Sequence, residues 1–90
     1  MTEIAEITAL LKSNKLTEAL DLADRYLTAH PDDAEALFLR GKIHWRMGNR
    51  PRATSDYAAA AAADPDSPAA EALEQARAVE DFFNPDLLNP

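Results

Sequence analysis

The 90-residue chain has no cysteine, only two glycines and a single tryptophan. Without cysteine there can be no disulfide, no zinc-thiolate site and no thiol nucleophile. No apolar run approaches the roughly 20 residues needed to cross a bilayer. The chain opens with Glu3 and Glu6 rather than a basic and apolar leader, so no signal peptide is expected and a cytoplasmic location is the default. Two glycines against many alanines favour helix throughout.

Hydrophobic residues make up 47% of the chain and charged residues 28%, the balance of a folded soluble protein rather than a disordered one. A chain this short forms one domain and buries only about 60% of its unfolded surface, so extra burial is valuable to it. The net charge of −7 is unevenly spread. Residues 1–33 carry three basic and seven acidic side chains, residues 34–67 five and four, and residues 68–90 one and five. The positive charge therefore lies between Arg40 and Arg52, flanked by acidic ends. Such a surface repels nucleic acid and anionic membranes as a whole, and neither is expected as a partner.

Helical periodicity and punctuation divide the chain. Ile4, Ile7, Leu10 and Leu11 predict a first helix over 3–12, capped by Thr2, with Ser13-Asn14-Lys15 as its breaker. A second helix over 17–29 carries Ala19, Leu20, Ala23, Tyr26 and Leu27 on one face and an Asp21–Arg25 pair on the other. Pro31 ends it. Asp32 with Glu35 predicts a capping box for a third helix over 33–47. Gly48-Asn49 is a turn, and Pro51 suits the first position of a fourth helix that runs to Ala63. Ser67 and Pro68 begin a fifth helix over 68–83, and residues 84–90 form a short apolar tail.

The first four helices repeat. Pro31 and Pro65 lie 34 residues apart, as do Ala19 and Ala53, and Asp32 and Asp66, while Tyr26 answers to Ala60. A period of this size, with two helices per unit, predicts a stacked solenoid. Within residues 34–67, Leu37, Gly41, Gly48, Asn49, Ala53, Tyr57, Ala60 and Pro65 resemble the tetratricopeptide repeat. Arg40, where that family usually has leucine, is a departure. Residues 2–33 resemble a degenerate first repeat that keeps Ala19, Ala23 and Pro31 but places Ile7 and Tyr26 where glycine and alanine are usual. The resemblance implies an all-α, right-handed α-α superhelix, built of two antiparallel hairpins and a capping helix.

It also implies that the first helix of each pair lines a concave groove. The groove positions would be Ile4, Ala5, Thr8, Leu11 and Lys12, then Glu35, Phe38, Leu39, Lys42, Trp45 and Arg46. The last helix would add Ala69, Ala72, Leu73, Ala76, Val79 and Glu80. Phe38 and Trp45 beside Lys42 and Arg46 are the residue types that dominate interface energetics. Lys42 and Arg46, four apart, would reinforce each other at an anion site. Some relatives clamp a chaperone's terminal carboxylate, but the corresponding positions here hold Ile4, Thr8, Leu39, Ala69 and Leu73, so no such recognition is expected. The resemblance thus points to a protein or peptide partner of acidic and apolar character.

The tail sets Phe82, Phe83, Leu87 and Leu88 at the end of an acidic segment. These either seal the open end of the stack or enter a groove on a second copy, which makes a homodimer the alternative reading. His30 and His44 have no ligand-type neighbours at metal spacing, and His44 is expected at the surface near Arg40. Ser55-Asp56 with a distant histidine makes no triad. No cofactor, metal or catalytic constellation is expected, and the chain is read as a binding module rather than an enzyme.

Overall fold

Helix-favouring composition and four side-chain caps set the secondary structure of the computed structural model, which describes residues 2–82. The five helices are α1 (Glu3–Lys12), α2 (Leu16–Ala29), α3 (Ala34–Arg46), α4 (Arg50–Ala63) and α5 (Ala69–Phe82). Among the described residues there is no strand. The Thr2 hydroxyl accepts from the Ala5 amide at 3.2 Å, and Asn49 Oδ1 accepts from the Arg52 amide at 3.4 Å. Ser67 Oγ accepts from the Ala69 amide at 3.3 Å. The cap of α3 is Asp33, whose Oδ1 accepts from the Ala36 amide at 3.0 Å, not Asp32 as the sequence suggests. The turn after Pro31 extends one residue further, closed by the Asp33 amide donating to the His30 carbonyl at 3.2 Å.

The 34-residue period is visible in backbone hydrogen bonds. The Lys15 amide donates to the Leu10 carbonyl at 2.9 Å, and the Asn49 amide donates to the His44 carbonyl at 2.9 Å. Each bond closes its helix by the wide loop that a left-handed residue permits. Those residues are Asn14, at φ 59°, and Gly48, at φ 82°. The second turn of each hairpin also repeats: the Ser67 amide donates to the Asp64 carbonyl at 3.0 Å, matching Asp33 and His30.

Each helix packs on the next in chain order and α1 also touches α3, so two antiparallel hairpins and a closing helix form a right-handed α-α superhelix. The core lies in three clusters. Ile7, Leu11, Ala19, Ala23, Leu39 and Ile43 join α1, α2 and α3. Leu27, Ala36, Leu37, Ala60 and Ala69 carry the packing through to α5. Ala53, Tyr57 and Ala76 fill the space between α3, α4 and α5. Ile7 and Ile43 are fully buried, each worth about 1.5–3 kcal/mol of transfer free energy.

Gly41 explains how closely α3 and α4 approach. A Cβ there would fall 2.6 Å from two ring carbons of Tyr57 and 3.3 Å from the Ala53 carbonyl oxygen. The absent side chain lets the Tyr57 ring lie against the α3 backbone. At the junction of the hairpins, the Tyr26 hydroxyl donates to Asp33 Oδ2 at 2.9 Å. Its ring sits 4.5 Å from the His30 ring. Asp33 thus caps α3 with one oxygen and holds α2 with the other. Phe82 is the last residue of α5; its side chain is not described, and Phe83, Leu87 and Leu88 lie outside the described residues, so the expected tail contacts all fall outside what the structure describes.

Candidate functional site

The spacing of Phe38, Lys42 and Trp45, four and three residues apart, puts them on one face of α3. Across from them, Ala72, Gln75, Ala76 and Val79 form a facing stripe on α5, and Tyr57 of α4 completes the cleft, which encloses about 380 Å3. Small residues on α5 leave room between the helices, and the aromatic rings fill only part of it. Phe38 and Tyr57 stack in a tilted arrangement with ring centroids 5.8 Å apart. Lys42 Nζ lies 5.4 Å from the centre of the Phe38 ring, and the Arg50 guanidinium lies 5.4 Å from that of Trp45. Both are cation–π distances. Among residues 2–79, whose side chains the structure describes, no carboxylate comes within ion-pair distance of Lys42. Burial raises the Tyr57 phenol above its ordinary value, and the adjacent Asp56 charge adds to this.

Two further depressions extend this surface toward the N-terminus. One, bounded by Thr8, Glu35, Phe38, Leu39 and the Asp64–Pro68 turn, encloses about 530 Å3. The other, bounded by Ile4, Ala5, Thr8, Lys12, Tyr26 and Glu35, encloses about 660 Å3. The first shares Phe38 with the α3–α5 cleft, and the two depressions share Thr8 and Glu35. The three form one hollow side crossing α1, α3 and α5.

Of the sequence-predicted groove residues, Phe38, Lys42 and Trp45 line the α3–α5 cleft, while Thr8 and Lys12 line the α1 end. Leu39 borders the middle depression with 7% of its surface exposed, and Leu11 is packed in the core at 3%. Thr8 Oγ1 donates to the Ile4 carbonyl at 2.9 Å. Arg46 points away from Lys42: its Nη1 donates to the Leu11 carbonyl at 2.9 Å. The guanidinium thus meets the electronegative C-terminal end of α1 instead of joining Lys42 over a shared anion site.

The structure also shows a polar cluster that sequence spacing does not reveal. Arg40 Nε and Nη2 grip both oxygens of Asp56, at 2.9 and 2.8 Å, and Nη1 reaches Asp24 Oδ1 at 3.1 Å. This fork joins α2, α3 and α4. The hydrogen bonds to Asp56 hold the Arg40 guanidinium protonated more firmly than usual. His44 is buried, contrary to its expected surface position, because its ring is packed beside Asp56, with Nε2 3.8 Å from Oδ2. Burial lowers the His44 pKa below its ordinary value, outweighing the attraction of Asp56, and the nearby Arg40 and Arg52 charges lower it further. No buried side-chain polar atom among the described residues lacks a partner. The signal available in sequence was Arg40 itself, a charge at a position that usually packs as leucine, with an acid within reach one helix later.

No group of three or more His, Asp or Glu side chains among the described residues is placed to hold a metal ion. No described helix is long and apolar enough to cross a membrane. The chemistry of the hollow side is that of apolar anchoring beside two ammonium groups, Lys42 at the α3–α5 cleft and Lys12 at the α1 end.

A sequence profile of the tetratricopeptide repeat matches residues 4–68. The solution structure of protein BF1650 from Bacteroides fragilis is similar over 99% of this chain and 91% of that one, with a TM-score of 0.85 and 28% sequence identity. No protein of curated function matches the sequence. With the profile spanning most of the chain, and the stacked hairpins closed by a fifth helix, this protein belongs to the tetratricopeptide repeat family.

Proposed function

We propose that the protein is a cytoplasmic interaction module that binds a polypeptide segment of apolar and acidic character along its hollow side. The observation that carries this reading is the α3–α5 cleft, where Phe38, Trp45 and Tyr57 surround an open apolar space beside the Lys42 ammonium, which has no carboxylate partner among residues 2–79. A bulky side chain entering the cleft would shed water against aromatic surface. A carboxylate on the same segment would gain a charge-assisted hydrogen bond from Lys42. Thr8, Lys12 and the exposed edge of Leu39 extend the contact toward α1. Arg46 and Leu11 support it from behind, through the bond between the Arg46 guanidinium and the Leu11 carbonyl. This is recognition chemistry: apolar anchoring together with a charge-assisted hydrogen bond.

Selection from a display library of random short peptides tests the reading. Wild type is expected to enrich sequences that pair an aromatic or large aliphatic residue with Asp or Glu. Lys42→Glu is expected to keep the apolar preference and exchange the acidic residue for Lys or Arg. If both proteins enrich the same sequences, or neither enriches any, the cleft is not the recognition site.

A further inference from the structure

We propose that the segment taken by the hollow side is an amphipathic α-helix lying across α1, α3 and α5. It carries Lys or Arg along the flank that faces Glu35 and Asp66, and Asp or Glu along the flank that faces Lys42 and Lys12. The inference rests on the reading of the hollow side as a polypeptide site, and adds the conformation of the segment and a second charge of opposite sign.

Spacing on α3 sets the width of the site. Glu35, Phe38, Lys42 and Trp45 follow at intervals of three, four and three, and so share one face. Glu35 and Lys42 are seven residues apart, about 10.5 Å along the axis, with Phe38 between them. An α-helix with its side chains is about 10–12 Å across, so one laid over Phe38 brings a charged group on each flank to the level of Glu35 and of Lys42. An extended strand cannot do this, because its side chains alternate between floor and solvent and its flanks carry backbone groups.

Neighbouring elements continue both edges. The bond from Arg46 to the Leu11 carbonyl joins the C-terminal ends of α1 and α3, so Lys12, the last residue of α1, extends the edge that holds Lys42. At the opposite edge the Asp64–Pro68 turn brings Asp64 and Asp66 to the depression that Glu35 lines. This acidic edge is not neutralised by the chain's own basic side chains. All nine Lys and Arg residues lie between positions 12 and 77, and none comes within ion-pair distance of Glu35, Asp64 or Asp66. A segment bearing acids alone would set carboxylates against Glu35 and Asp66, a like-charge contact that selects against it. Turning a helix end for end exchanges its flanks, so edges of opposite sign also fix the direction in which the segment lies.

Three synthetic peptides with the same Leu and Phe stripe at helical spacing test this by titration calorimetry on the full chain. The first has Glu along one flank and Lys along the other. The second has Glu along both. The third is the first with a central proline, which breaks the helix. At low ionic strength wild type is expected to bind the first about tenfold more tightly than either of the others. Glu35→Lys/Asp66→Lys is expected to reverse the order of the first two, a reversal that misfolding cannot imitate. Equal affinity of wild type for the first and second peptides overturns the flank assignment, and equal affinity for the first and third overturns the helix. Either result leaves the interaction reading standing. Binding of none of the three overturns the proposal, and the display selection then decides separately whether the hollow side takes any polypeptide. Affinity for the first peptide that falls as protein concentration rises also overturns it, since a second copy then holds the hollow side.

Discussion

Gly41 is the residue on which the geometry of the second hairpin turns. Substituting alanine gains up to about 1 kcal/mol of helix propensity. It also drives a methyl group to 2.6 Å from the buried Tyr57 ring, which must shift to accommodate it. Overpacking of this kind costs about 1–3 kcal/mol, so Gly41→Ala is expected to lower the midpoint of urea unfolding despite the better helix former. A raised midpoint would mean that α3 and α4 do not approach as described. Gly48 has the opposite character: nothing lies near the position of its missing Cβ, and its value is the positive φ alone. Glycine was legible in both roles from its place in the repeat, because the two demands fall at fixed offsets. His44 was not. Its burial depends on Asp56, twelve residues on, and on a guanidinium that replaces leucine, and nothing in local spacing shows that these groups meet.

At the scale of elements, the joint between α2, α3 and α4 is ionic where an apolar contact would be usual. Breaking a buried pair by removing one member typically costs about 3–5 kcal/mol, because the other charge is left without a partner. Arg40→Leu strands Asp56, whose side chain is 9% exposed, and is expected to fall near the low end of that range, since Arg40 itself retains 26% exposure. Arg40→Leu/Asp56→Leu removes both charges and is expected to recover most of the loss in thermal unfolding. A double variant no more stable than Arg40→Leu would show that the fork contributes more than the mutual compensation of two charges. The helices themselves were readable from the sequence to within a residue at nearly every end. Apolar spacing fixes where each begins to pack, and Pro31, Gly48 and the Asp64–Pro65 turn fix where each must stop. The error at the α3 cap arose because Asp32 and Asp33 are equivalent by local rules. The choice between them is made by the Tyr26 hydroxyl, which belongs to another helix. The candidate groove was legible in part for a similar reason. Phe38, Lys42 and Trp45 share a helix face that periodicity reveals, whereas the bond from Arg46 to the Leu11 carbonyl spans 35 residues.

Taken as a whole, the molecule has acidic ends around a basic middle, and its stability should respond to pH through the one buried imidazole. His44 has a folded pKa below the ordinary 6.5, so the unfolded chain binds the proton more readily than the folded one. Stability from this group is complete above pH 6.5, declines as pH falls toward the lowered folded value, and falls no further through His44 below it. His44→Gln is expected to flatten the unfolding free energy across that window, with carboxylate titration at lower pH unchanged. An equal slope in wild type and variant would place the imidazole in solvent. The same whole-chain view gives Tyr26 a meaning beyond its hydrogen bond. Where the second unit has Ala60 meeting Ala69 of α5, both fully buried, the first has a phenol that reaches the Asp33 carboxylate. One seam is built from small residues that any following helix with an alanine could match; the other requires a particular acid at a particular place. The first unit therefore tiles only against a neighbour that offers a hydrogen-bond acceptor where Asp33 stands, whereas the second meets its neighbour through apolar contact alone.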